Sequence, residues 1–159
     1  MESDWSIEKI TGIRVIENPD NGVLNSILED NGRWQLLLIT KGSLTYRRDN
    51  KDRKLGPGIL VVPSPKGYEA LAADSAFRGR LLSIPSYHVI SMNQGENVNL
   101  HMAAHKDPFR KLTSSDVTVL KNYYSLIADL APVDCFTYSG PEMMHLTQAL
   151  LMYLKKFYL

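Results

Sequence analysis

The stretch Arg33–Pro63, RWQLLLITKGSLTYRRDNKDRKLGPGILVVP, restricts the fold more than any other part of the chain. It holds three runs rich in apolar and β-branched residues, Trp34–Thr40, Leu44–Arg48 and Ile59–Val62. Lys41-Gly42-Ser43 is a short Gly-bearing connection of the kind that closes a hairpin. Asp49-Asn50-Lys51-Asp52 is a polar turn cluster, and Gly56-Pro57-Gly58 stops and redirects the backbone. Two successive hairpins predict an antiparallel sheet that the remaining chain must extend or cover.

Before this stretch, the segment up to Asn18 is weakly patterned and reads as an extended arm or edge strand. Asn18-Pro19-Asp20-Asn21-Gly22 is a turn, and Val23–Leu28 reads as a strand. After it, Pro63–Gly67 is a loop, and strands are expected over Tyr68–Ala72 and Phe77–Ile84. Short strands with a turn about every ten residues are the pattern of a sandwich or small barrel.

The pattern changes at Pro85. Pro85-Ser86-Tyr87-His88 resembles the start of a short helix, and Asn93–Lys106 reads as polar loop. Thr113-Ser114-Ser115-Asp116 is a cluster of N-cap residues. Beyond it Val117, Leu120, Tyr124, Ile127 and Leu130 recur at helical spacing until Pro132. A second helix carries Met143, Leu146, Leu150, Leu154 and Phe157 on one stripe. Met144, Leu151 and Tyr158 form a neighbouring stripe, and this second stripe is expected to be a dimer seam. The helical pattern is still running at Leu159 without a stop signal, which suggests a longer chain.

A chain of 159 residues can build one domain with a real core. Its 18 basic and 17 acidic residues give a net charge of +1, too balanced for a nucleic-acid-binding domain. The single Cys135 permits no internal disulfide, and the acidic start Met1-Glu2-Ser3-Asp4-Trp5 is not a secretory signal. No apolar run approaches the roughly 20 residues that span a bilayer. A cytoplasmic protein without membrane contact is expected.

Strands first and two helices last resembles the N-terminal half of AraC-type transcriptional regulators, whose sensor half is a cupin β-barrel. Trp34–Leu44 is similar to that family's apolar strand, Gly turn and returning strand. Leu55–Pro63 resembles its Gly-rich turn leading into an apolar strand that ends in proline, and Phe77–Ile84 resembles the strand before its short helix. The resemblance implies a mainly β fold with C-terminal α structure: a cupin-like double-stranded β-helix, or jelly-roll, followed by two antiparallel helices. The barrel with its N-terminal arm would span 1–92, and a linker and helix pair packed on it 93–159. A helix-turn-helix DNA-binding domain would lie beyond 159, so DNA would be bound only through that part.

In metal-binding cupins the corresponding motifs supply histidines and a glutamate. Here the resemblance places Gln35 at the glutamate position and Asn31 and Glu29 at two of the histidine positions, and no histidine follows Pro63 near Tyr68–Ala70. Amides are poor ligands for transition metals, so neither metal nor cofactor is expected. Of the four histidines, His101 and His105 could share a helix face, but His88, His101, His105 and His145 all fall outside the expected strands and read as surface residues. Cys135 has no histidine beside it in sequence, no nucleophile elbow occurs, and Gly56-Pro57-Gly58 lacks the lysine and helix of a phosphate loop. An enzyme is therefore not expected.

Gln35 interrupts a strongly apolar strand; the resemblance implies that it points into the barrel, and alternation then sends Leu37 and Ile39 inward with it. With Tyr46, Tyr68 and Arg80 these residues are the candidate lining for a small-molecule effector, a sugar or another polar metabolite. Arg47, Arg48, Arg78 and Arg80 also have an ordinary reading as solvated strand residues, as Trp34, Tyr46 and Tyr68 do as core. The function expected is effector sensing and dimerisation in a transcription regulator. The alternatives are a small cupin enzyme of sugar isomerase or dioxygenase type and a stand-alone binding module.

Overall fold

Strand β2, Arg33–Lys41, is buried from Trp34 to Ile39 because it has apolar layers on both faces. Its even residues Trp34, Leu36 and Leu38 belong to one apolar cluster, and Leu37 and Ile39 to another. That two-sided burial is why the sequence there is a continuous apolar run rather than an alternation. The computed structural model describes residues 13–27, 32–62, 70–86, 100, 103, 104, 106, 108–130 and 140–158.

Among the described residues the element order is β1 (Arg14–Glu17), α1 (Asn21–Ile27), β2, β3 (Leu44–Arg48), β4 (Lys51–Leu55), β5 (Ile59–Val61), β6 (Ala70–Ala73), β7 (Arg78–Pro85), β8 (Phe109–Lys111), α2 (Ser114–Leu130) and α3 (Gly140–Tyr158). Two antiparallel sheets form, in the orders β1-β7-β2-β5-β8 and β4-β3-β6. Leu37, Ile39, Val61 and Leu81 of the first sheet share a cluster with Leu44, Tyr46, Leu55 and Leu71 of the second, so the sheets face each other. The outer face of the five-stranded sheet carries α2 and α3. No helix among the described residues is long and apolar enough to cross a membrane.

The expected antiparallel sheets and both C-terminal helices form, while several local expectations do not. Lys41-Gly42-Ser43 closes no hairpin: β2 and β3 lie in different sheets, and this connection carries the chain from one to the other. Gly42 has φ +70°, and a Cβ there would come within 2.5 Å of the Ala76–Phe77 backbone, so the crossover requires glycine. The hairpin is β3–β4, turned by Asp49 and Asn50 at φ 54° and 60°. Strand β4 escaped the sequence reading because Lys51, Asp52, Arg53 and Lys54 are all exposed, leaving only Leu55 buried. Such charges at a sheet edge discourage pairing with other chains.

Val23–Leu28 was expected as a strand, but α1 occupies most of it. Asp20 Oδ1 accepts the Val23 amide at 2.8 Å as an N-cap, and Leu24 and Ile27, three apart, enter the inter-sheet cluster. Within the expected loop Asn93–Lys106, residues Leu100, Ala103, Ala104 and Lys106 are helical, and Leu100 and Ala104 are buried under the sheet. Strand β8 was also missed, being three residues paired with β5.

The helices dock through both apolar and polar contacts. Thr113 caps α2: its Oγ1 accepts the Asp116 amide at 3.1 Å and donates to Asp116 Oδ2 at 2.9 Å. Tyr124 is fully buried and donates its hydroxyl to the Leu36 carbonyl of β2 at 3.0 Å. Burial pushes the Tyr124 phenol well above its ordinary pKa, so it stays a donor. Tyr153 of α3 donates to Asp116 Oδ1 at 2.6 Å and Lys156 Nζ lies 2.9 Å from the same oxygen, tying the two helices together.

Candidate functional site

Among the described residues the lining between the two sheets is apolar apart from the Tyr46 hydroxyl and one end of the five-stranded sheet. There Gln35 stands opposite Ser83 in the β2–β7 register, and Ser83 stands opposite Arg14 in the β1–β7 register. Alternation puts Gln35 on the face of Leu37 and Ile39, and Ser83 on the face of Leu81, all of which look into the inter-sheet space. Gln35 is only 6% exposed, and its Oε1 has no hydrogen-bond partner among the described residues. Arg33, on the same face, donates from Nε to Ser83 Oγ at 2.6 Å and from Nη2 to the Ser83 carbonyl at 3.2 Å.

A buried amide oxygen without a donor costs about 1–3 kcal/mol, and most such groups in native interiors are paired. Gln35 is therefore a group that a donor entering the space could satisfy. The remaining walls are Leu37, Ile39, Val61 and Leu81 from one sheet and Leu44, Tyr46, Leu55 and Leu71 from the other. Tyr46 stands edge-on to Phe109 of β8, with ring centroids 4.5 Å apart. At the rim, Ser43 donates its hydroxyl to Asp74 Oδ2 at 2.7 Å, and that bond and the Ser43 amide hold the Asp74 carboxyl below its ordinary range.

Of the candidate lining residues, Gln35, Leu37, Ile39 and Tyr46 lie together between the sheets. Tyr68 falls outside the described residues, as do Glu29, Asn31, His88, His101, His105 and Cys135. Arg80 points the other way. It shares the outer face with Leu82, where its Nε contacts Glu17 Oε2 at 2.5 Å and its Nη1 donates to Ser125 Oγ at 2.8 Å and to the Lys121 carbonyl at 3.2 Å. It bridges β1, β7 and α2 rather than lining the interior. Ser83 and Arg33 were overlooked, although both follow from the alternation that brought Gln35 inward.

The expected seam on α3 is not available. Leu151 is 0% exposed and Tyr158 8% exposed within this chain, both in the cluster beneath the five-stranded sheet. Helix α3 buries two stripes because it packs against the sheet and α2 at once. The side chain of Met144 lies outside the described residues, while Met152 is 57% exposed. His145 is exposed on α3. Among the described residues no group of three or more His, Cys, Asp or Glu is placed to hold a metal ion.

The fold is similar to that of part of solved AraC-type transcription regulators. Apo ToxT from Vibrio cholerae, in a single-residue variant, superposes with a TM-score of 0.50 at 15% identity, over 91% of this chain and 55% of that one. The AraC-like transcriptional activator CuxR is similar at a TM-score of 0.47 and 14% identity, over 90% of this chain and 49% of that one. Unsaturated fatty acid-bound wild-type ToxT matches at a TM-score of 0.47 and 14% identity, over 94% and 53%. The chain thus spans about half the length of the solved chains it matches. No protein-family model and no curated protein sequence matches it.

Proposed function

We propose that this chain is the effector-sensing part of an AraC-type transcription regulator and that it takes a small molecule between its two sheets without a metal. The observation that carries the reading is Gln35: a buried amide oxygen with no hydrogen-bond partner among the described residues, beside the apolar run Leu36–Ile39 of β2. A structural core gains nothing from that group, whereas a binding site needs few polar groups, each placed to fix orientation in an apolar pocket. The effector that suits it has an apolar body against Leu37, Ile39 and Leu81 and a hydroxyl or N–H aimed at Gln35 Oε1.

The repeated passage of the chain from one sheet to the other, at β2–β3, β4–β5, β5–β6 and β6–β7, supports the jelly-roll reading of the barrel. The polar side chains at the interior end, an amide, a hydroxyl and a guanidinium, bind and orient but supply no base near neutral pH, which favours sensing over catalysis. DNA recognition would belong to a part of the protein outside this chain, in keeping with a net charge of +1. A thermal-shift screen of hydroxylated and amphipathic metabolites tests the reading. Compounds that raise the melting temperature of the wild type but not of Gln35→Leu are expected. If no compound stabilises the wild type, or if every stabilising compound acts equally on both, the reading is wrong.

A further inference from the structure

Strand β8 touches both apolar clusters through consecutive residues. Phe109 meets the interior, where its ring stands edge-on to buried Tyr46 at 4.5 Å, with the Arg53 guanidinium 4.8 Å from its centroid. Arg110 turns to the opposite face and holds the end of α3. Its Nε donates to the Phe157 carbonyl at 2.7 Å, and its guanidinium lies 4.6 Å from the centroid of the Tyr158 ring. A helix end leaves carbonyls without intrahelical donors and carries partial negative charge, and Arg110 answers both.

The strand is also weakly held. Among the described residues β5 is its only ladder partner, with Val61 opposite Phe109 and Leu60 opposite Arg110, and single backbone bonds flank it at Val62–Pro108 and Leu112–Gly58. Arg110 Nη1 further bonds the Phe109 carbonyl at 2.8 Å, which locks the two residues into one unit. A displacement of Phe109 therefore carries Arg110 with it.

We propose that β8 is the lever that reports occupancy of the inter-sheet space to the C-terminal end of α3. The proposal rests on the sensing function above and names its mechanism. A molecule beside Tyr46 shifts the Tyr46 and Phe109 rings, Arg110 changes its hold on Phe157, and the last turn of α3 tightens or frays. Such a molecule biases the turn only as far as its affinity differs between the two positions of β8. Any part of the protein that follows α3 would be attached at this turn.

The coupling can be read without an effector, by hydrogen exchange on the chain with a cycle of Tyr46→Leu, Arg110→Ala and the double variant. The readout is amide exchange over Leu154–Tyr158, set against Leu120–Ile127 in α2. With the lever present, Tyr46→Leu speeds exchange in the last turn of α3 by about tenfold, within the usual span of inter-site coupling, and leaves α2 unchanged. In the Arg110→Ala background, where the turn is already loose, Tyr46→Leu adds less than about twofold on the same scale. An unchanged turn in Tyr46→Leu, or the same acceleration in both backgrounds, overturns the proposal. Should Tyr46→Leu loosen α2 as well, Phe109→Leu, which trims a half-buried ring, replaces it in the cycle under the same two criteria. A failed metabolite screen would remove the sensing function and leave this result standing, and a failed cycle would do the reverse.

Discussion

Leu36 and Leu37 are neighbours in β2, and both are fully buried, one beneath the helices and one between the sheets. Beneath the helices the principal polar group is Tyr124, whose hydroxyl reaches the Leu36 carbonyl and so fixes α2 against the strand. Between the sheets it is Gln35, whose amide oxygen meets no donor among the described residues. On the helix side the Thr147 hydroxyl of α3 is likewise buried without a hydrogen-bond partner among the described residues. Among the described residues the helix layer carries nineteen buried residues against eleven in the inter-sheet cluster, so of these it holds the larger share of apolar burial. The space between the sheets can thus keep an unsatisfied group that the helix layer makes tolerable.

Placing a charge at Leu151 probes the helix layer most severely. An unpaired carboxylate beneath the sheet should cost Leu151→Glu about 3–5 kcal/mol, enough to unfold much of the population. Urea denaturation followed by circular dichroism would show it. A variant that stays folded and changes only its state of association would restore the dimer seam and remove α3 from the core.

The two polar groups should respond with opposite signs. Tyr124→Phe leaves the ring and removes the bond to Leu36, so it should lower stability by about 1–2 kcal/mol. Gln35→Leu keeps a similar volume and removes a partnerless oxygen, so without a ligand it should be neutral or stabilising by up to about 1 kcal/mol. Melting temperatures of both variants measure the contrast directly. A loss of stability in Gln35→Leu would mean that the amide is structural, and the two layers would then handle polarity alike.

The layer with the stronger apolar periodicity was also the more legible in sequence. Both long helices could be read from spacing, and α2 also from its cap at Thr113, because a helix facing one core repeats at three and four. Strand β2 was legible as a buried run, and Gln35 as the residue that breaks it. Strand β4 was hidden because an edge strand pairs through its backbone while its side chains face water, and α1 because its one short turn of apolar residues mimics a strand run. The seam on α3 was misread for a physical reason: two buried stripes look the same in sequence whether the second meets another chain or this one. Arg80 was misplaced by one step of alternation, which is all that separates the two layers along β7.

The smallest expected effect lies at the outer edge of the helix layer, where Asp116 joins α2 to α3. The Tyr153 hydroxyl, then Lys156 and Thr113, hold its carboxyl well below the ordinary carboxylate range. A depressed carboxylate contributes stability that is fully present above the unfolded value, about pH 3.9, and is lost as pH falls towards the folded one. The wild type should therefore lose more stability between about pH 4 and pH 2 than Asp116→Asn, with the two profiles running parallel above about pH 5. Because the group is close to solvent, the difference should shrink in high salt. Denaturation midpoints across that range, at low and high salt, measure both effects. Superposable acid limbs would mean that the Asp116 cluster forms no net tie between the helices, and that apolar contacts alone set the position of α3.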